Sequence, residues 1–233
     1  DLGQRVCGGL DRAGYALCPG GNMATNPRWR LSASAWVALY HRWMETPQPQ
    51  DLLEFSIFFD FRPVAGEPEL LRTLHTEIEE VLRRNPPFLL HLAKQALEFR
   101  LPTGSFGRLA TESSGTRERS FNIKEAMAPV VHVARLYALR HGVEATNTLE
   151  RLQRLHELDI LRSPDFEEIV QVYEFFMRLR LRHQAEMMRE GRPPDNHLPT
   201  ERFTDLDRAM LKQASARISL LTKKVSYDFL GSA

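Results

Sequence analysis

From about residue 66 to the end of this 233-residue chain, apolar residues recur at helical spacing, interrupted by short breaks and one longer polar segment. Leu70, Leu74, Ile78, Val81 and Leu82 form one stripe. After Asn85-Pro86-Pro87 a second runs through Leu89, Leu92, Ala93, Ala96 and Leu97. Spacings of three and four place each set on one helical face, which must be buried against other helices. Further helices are expected at about 123–141, 147–160, 164–190 and 203–230, with breaks at Gly142, Ser163-Pro164 and Arg192-Pro193-Pro194-Asp195-Asn196. The last two thirds therefore read as a helical bundle. Residues 102–120 are polar and glycine-bearing, and read as a long excursion between helices with room for a short strand pair.

The first 65 residues read differently. Cys18-Pro19-Gly20-Gly21-Asn22-Met23-Ala24-Thr25-Asn26-Pro27 is turn chemistry, a loop whose backbone is free to line a cleft. Ser32 is a plausible N-cap for a helix carrying Trp36, Leu39, Tyr40 and Trp43. Residues 54–62, Glu-Phe-Ser-Ile-Phe-Phe-Asp-Phe-Arg, alternate with period two, which predicts a buried strand. Phe55, Ile57, Phe59 and Phe61 would share one face, and Ser56, Phe58, Asp60 and Arg62 the other. A carboxylate among so many rings needs compensation, since removing its water costs several kcal/mol, roughly. Asp60 is thus either paired structurally with Arg62 or one member of a polar site.

Composition narrows the functional classes. With 31 basic against 30 acidic residues the net charge is +1, so no global field draws the chain to nucleic acid or an anionic membrane. No apolar run approaches the roughly 20 residues that span a bilayer, and a cytoplasmic location is the expectation. Cys7 and Cys18 have neither metal-knuckle nor redox spacing and read as reduced thiols. No zinc or Ser-His-Asp pattern can be made out. Gly104-Ser105-Phe106-Gly107-Arg108 lacks the lysine of a phosphate loop. Arg180, His183 and Gln184 share a helical face, either as a solvated basic face or as a cluster that receives phosphate or carboxylate. Asn147 or Thr148 looks like a cap, and Lys124 and Arg135 read as ordinary surface cations. The opening, Asp1-Leu2-Gly3-Gln4-Arg5-Val6, reads as the interior of a helix, so a portion of a longer protein is expected.

Several strings together resemble one family. They are Gly14-Tyr15 with Cys18-Pro19-Gly20, Met23 to Trp29, Ile57 to Arg62, Asn147-Thr148 with Glu150-Arg151-Leu152, and Arg180-Leu181 with His183-Gln184. They are similar to signal-transduction nucleotidyltransferases, in which cyclic-nucleotide-binding and CBS domains precede a PII-uridylyltransferase-like catalytic domain and a C-terminal helical domain. The resemblance implies a predominantly helical α+β chain. Residues 1–65 would end a polymerase-beta-like nucleotidyltransferase sheet, and 66–233 would form a helical substrate-binding bundle. It further implies Asp60 as a catalytic and metal-binding carboxylate, beside Arg62, on a late strand. The Gly-Ser turn and Asp-x-Asp pair would lie upstream of Asp1, which leaves this portion inactive alone. Met23, Asn26, Lys124, Asn147, Arg151, Arg180, His183 and Gln184 are the implied substrate-binding residues. The implied partners are Mg2+ with a nucleoside triphosphate, a protein or small-molecule acceptor, and upstream regulatory domains. A second class stays open, a non-catalytic regulatory or protein-interaction module.

Overall fold

The structure, a computed structural model, describes residues 1–99, 101 and 120–231. It divides into two compact units, Asp1–Asn85 and Pro86–Ala233. Among the described residues the chain is predominantly helical, with one small sheet, as a helical α+β reading requires.

The first unit holds helices α1 (Leu2–Arg12), α2 (Ala33–Glu45), α3 (Pro49–Phe58) and α4 (Pro68–Arg84). Asp1 caps α1 by accepting from the Gly3 N–H at 2.9 Å. Gly3 lies so near the Ala24 carbonyl that a Cβ there would meet its oxygen at 2.4 Å, so only glycine lets α1 sit on the 18–27 loop. Ser32 caps α2 as expected, accepting from the Ala35 N–H at 3.2 Å. Trp43 and Phe55 are fully buried and Tyr40 nearly so. Tyr40 and Trp43 meet Trp36, Trp43 also meets Phe58, Phe55 meets Tyr40, and Phe58 in turn approaches Trp29 to 4.2 Å. The Tyr40 hydroxyl donates to the Phe58 carbonyl at 2.7 Å and ties α2 to the end of α3.

The strand predicted over 54–62 is absent, and most of that run is α3. Its entry explains why. Pro49 occupies the first helical turn, where it needs no hydrogen-bond donor, and the Asp51 carboxylate accepts from the Gln48 N–H at 3.0 Å. Read at helical spacing, Phe55, Phe58 and Phe59 lie on adjoining positions of one surface, so the same rings serve either period. No strand lies in the first unit among the described residues. The division expected at 65/66 falls instead at 85/86, because α4 packs on α2. His41 bridges Glu45 and Glu77, each at 3.2 Å, and the Asn85 side chain donates to the Met44 carbonyl at 2.7 Å.

The second unit contains α5 (Pro87–Glu98), α6 (Ile123–Arg140), α7 (Thr148–Glu157), α8 (Asp165–Arg189) and α9 (Asp205–Val225). Two short antiparallel strands join them, β1 (Ser120–Asn122) and β2 (His197–Pro199), with Phe121 opposite Leu198. The sheet therefore lies here and not in the first unit. Helix α6 packs against α5, α7, α8 and α9. Val130, Val133, Ala134 and Tyr137 on α6 meet Leu152, Leu155, Phe176, Leu211 and Ile218 in one buried cluster. Each such Leu, Val or Phe side chain contributes about 1.5–3 kcal/mol of transfer energy when removed from water. After α9 the chain makes a π-helical turn, Ser226–Leu230, ending at Gly231 with φ 66.

Candidate functional site

The apolar stripe of α8 decides where its polar residues lie. Ile169, Val172, Phe176 and Leu179 are buried at spacings of three and four, and His183 continues the same stripe. Its side chain is 2% exposed. The imidazole Nε2 lies 2.9 Å from the Asp195 carboxylate. Its other nitrogen, Nδ1, is buried and has no hydrogen-bond partner among the described residues. One turn earlier, the Nε–H of half-buried Arg180 is in the same condition.

Gln184, the next residue, donates to the Asp195 carbonyl at 3.1 Å. The Asp195 carboxylate also accepts from the His197 N–H at 2.9 Å. Burial alone would raise that carboxyl, but the bonds from His183 and His197 outweigh it and hold it below the usual aspartate range. The Asn196 carbonyl accepts from the Ile123 N–H at 2.9 Å, which fixes this turn to the start of α6. Two of the residues predicted from sequence, His183 and Gln184, thus meet Asp195 and Asn196 at one polar seam, and Arg180 lies one turn earlier on α8. Lys124 follows Ile123 on the first turn of α6 and is exposed.

The other predicted residues serve elsewhere. Asn147 caps α7, its oxygen accepting from the Leu149 and Glu150 N–H groups at 2.9 and 3.2 Å. Arg151 is 2% exposed within α7. In the first unit Asn26 caps the 3-10 turn Pro27–Trp29, accepting from the Arg28 N–H at 3.1 Å while its amide donates to Gly21. The Met23 sulfur accepts from the Cys18 N–H at 3.2 Å. Both residues close the loop. Asp60 lies half-buried in the bend after α3 and Arg62 is exposed, so neither projects from a sheet. Among the described residues no three His, Cys, Asp or Glu side chains come together to hold a metal. The Gly104 to Arg108 string lies outside the described residues.

Two functional groups escaped the sequence reading. Asp195 was read only as part of a helix break, and its bond to His183 spans that break. Glu54 is the other, 3% exposed within α3. Its Oε1 accepts from Arg28 Nη2 at 2.5 Å and from Gln50 at 3.1 Å. The helix-entry chemistry at Gln48-Pro49-Gln50-Asp51 was the signal that could have placed it on a helix beside Gln50. Two cavities border α9, one of about 340 Å³ and one of about 230 Å³ shared with α8. Neither is lined by a predicted site residue.

Arg180 and His183 together offer a guanidinium and an imidazole one turn apart, the second oriented by a carboxylate. That set can take an oxyanion at the Arg180 guanidinium and a hydroxyl donor at Nδ1. Among the described residues no helix is long and apolar enough to cross a membrane. Two family profiles match the chain. One, "Putative nucleotidyltransferase substrate binding domain", covers residues 86–229, and the other, "Putative nucleotidyltransferase DUF294", covers residues 1–50. No curated protein and no solved structure is significantly similar to it.

Proposed function

The chain belongs to the nucleotidyltransferase family whose substrate-binding domain covers residues 86–229, and from that premise we propose that this unit holds the nucleoside triphosphate of a nucleotidyl transfer at the α8 seam. One observation carries the reading: Arg180 Nε and His183 Nδ1, one turn apart, are buried polar atoms with no partner among the described residues. Leaving such atoms unsatisfied costs about 1–3 kcal/mol each, a penalty that a ligand's phosphate oxygen would relieve at the Arg180 N–H and a ligand's hydroxyl at His183 Nδ1. In this reading Arg180 donates to a phosphate oxygen and His183 Nδ1, its ring set by Asp195, accepts from a ribose hydroxyl. Gln184 holds the Asp195 turn in place. Lys124, with no ion pair among the described residues, adds positive charge at the seam, and Asn147 and Arg151 hold α7.

Magnesium would be expected with the triphosphate, since a two-metal scheme needs several converging carboxylates. The described residues do not fit such a site, because no three ligating side chains converge and Asp60 lies in a bend. The finer reading is a cytoplasmic, PII-uridylyltransferase-like protein in signal transduction, with a protein or small molecule as acceptor and upstream regulatory domains. The strings around Met23 and residues 57–62 support it.

Calorimetric titration of the chain with UTP and ATP tests the proposal. Arg180→Gln should weaken binding about tenfold, the order of one charge-assisted hydrogen bond. Unchanged affinity in that variant would discard the α8 seam and favour the interaction-module alternative.

A further inference from the structure

A carboxylate buried in the body of a helix needs a reason, and comparison with Asp207 shows what is missing at Glu54. Asp207 is also buried, but its side chain caps α9 by accepting from the Thr204 N–H at 3.0 Å, while Arg182 pairs with it at 2.9 Å. Glu54 lies in the second turn of α3 and caps nothing. One of its oxygens holds Arg28 and Gln50, and the other, Oε2, is buried without a partner among the described residues. Such a group lowers stability rather than adding to it.

What Glu54 does achieve is to fix Arg28. The guanidinium is held at one corner by the buried carboxylate and lies over the Trp29 ring at 4.4 Å. The backbone beneath it is fixed as well, since Asn26 accepts the Arg28 N–H. Yet the two partners differ sharply in exposure, 56% for the Arg28 side chain against 4% for Glu54. A pair serving only to tie the Pro27–Trp29 turn to α3 would be satisfied with both members buried or both solvated. Here the burden falls on the carboxylate, and the guanidinium stays open. Among the described residues only Nη2 has a hydrogen-bond partner, so most of its five N–H donors are uncommitted.

We propose that Arg28 is an anion-binding residue of the first unit, preset by Glu54 and Trp29 to take a phosphoryl group. The planar fork of donors matches paired oxyanion oxygens, and a guanidinium already restrained loses less freedom on binding. The proposal rests on the nucleotidyl-transfer reading only for the source of the phosphate, a nucleoside triphosphate.

Sodium tripolyphosphate and UTP, titrated calorimetrically into the whole chain, test it. Arg28→Gln should weaken tripolyphosphate binding about tenfold, the order of one charge-assisted hydrogen bond, and Glu54→Gln should weaken it less. In the unmodified chain the Arg28 side-chain N–H resonances should move on titration, a readout that needs no variant to fold. Failure of tripolyphosphate to bind, or unmoved Arg28 resonances, would overturn the inference. Arg180→Gln separates it from the broader reading. Loss of UTP binding in that variant alone, with Arg28→Gln binding both ligands normally, would retain the α8 seam and reject the Arg28 site.

Discussion

The two units bury their apolar groups by different means. In residues 1–85 the core is a cluster of rings, Trp29, Trp36, Tyr40, Trp43, Phe55 and Phe58, meeting edge to face or in tilted stacks. In residues 86–231 it is a mainly aliphatic set built around α6. The first arrangement concentrates its energy in a few large side chains, and the second spreads it over many small contributions. All three tryptophans of the chain fall in the first unit. Their fluorescence therefore reports that unit, while far-UV dichroism reports helices throughout.

The largest expected effect probes that concentration. Trp43→Ala should lower the stability seen by tryptophan fluorescence by about 3–5 kcal/mol in urea unfolding. Leu155, equally buried in the second unit, should on truncation to Ala shift the dichroism transition by about 2–5 kcal/mol and leave the fluorescence transition nearly in place. Equal shifts of the fluorescence midpoint by both variants would mean that the three tryptophans do not report the first unit alone.

The same contrast explains what could be read from the sequence. Aliphatic stripes such as Leu89, Leu92, Ala93, Ala96 and Leu97 fit one period only, and α5 is where they place it. Ser32 and Asn147 were legible as caps because capping is local chemistry, settled within three residues. Residues 54–62 were misread because Phe55, Ile57, Phe58, Phe59 and Phe61 include sets that fit a period of two as well as one of 3.6. Glu54 was hidden by the same error. At the seam, the shared face of Arg180, His183 and Gln184 follows from spacing on one helix. Their acceptor, Asp195, lies beyond a break containing two prolines, and no local rule predicts which way the chain returns.

A smaller effect sharpens the account of that return. Asp195→Ala removes the carboxylate from a buried imidazole and an acceptor from the His197 N–H, leaving His183 with no partner on either nitrogen among the described residues. The expected loss is about 1–3 kcal/mol, read by dichroism and not by fluorescence. Tyr137→Phe should cost less, about 1 kcal/mol, because it deletes a single hydroxyl that donates to Asp228 at 2.6 Å while Lys224 still pairs with that carboxylate at 2.9 Å. A neutral result there would mean that the π-helical turn is held by its Phe229 packing on Tyr137 rather than by the polar contact.

The smallest effects are in pH dependence, and they should run in opposite directions in the two units. His41, between α2 and α4, is raised above its ordinary 6.5 by hydrogen bonds to Glu77 and Glu45, against a modest opposing effect of burial. A base that binds its proton more tightly when folded contributes stability that is complete below about 6.5 and is lost as pH rises through the folded value. His141, after α6, is lowered from 6.5 by burial first and by the Arg140 charge second. Its folded state resists the proton, so its contribution is present above about 6.5 and is lost as pH falls through the folded value. Between about pH 5.5 and 7.5, around the unperturbed histidine value, the fluorescence midpoint should fall and the dichroism transition of the second unit should rise, each by less than about 1 kcal/mol. His41→Gln should flatten the first slope without touching the second, and His141→Gln the reverse. If both slopes kept one sign in the unmodified chain, and neither substitution changed it, the pH dependence would belong to groups other than His41 and His141.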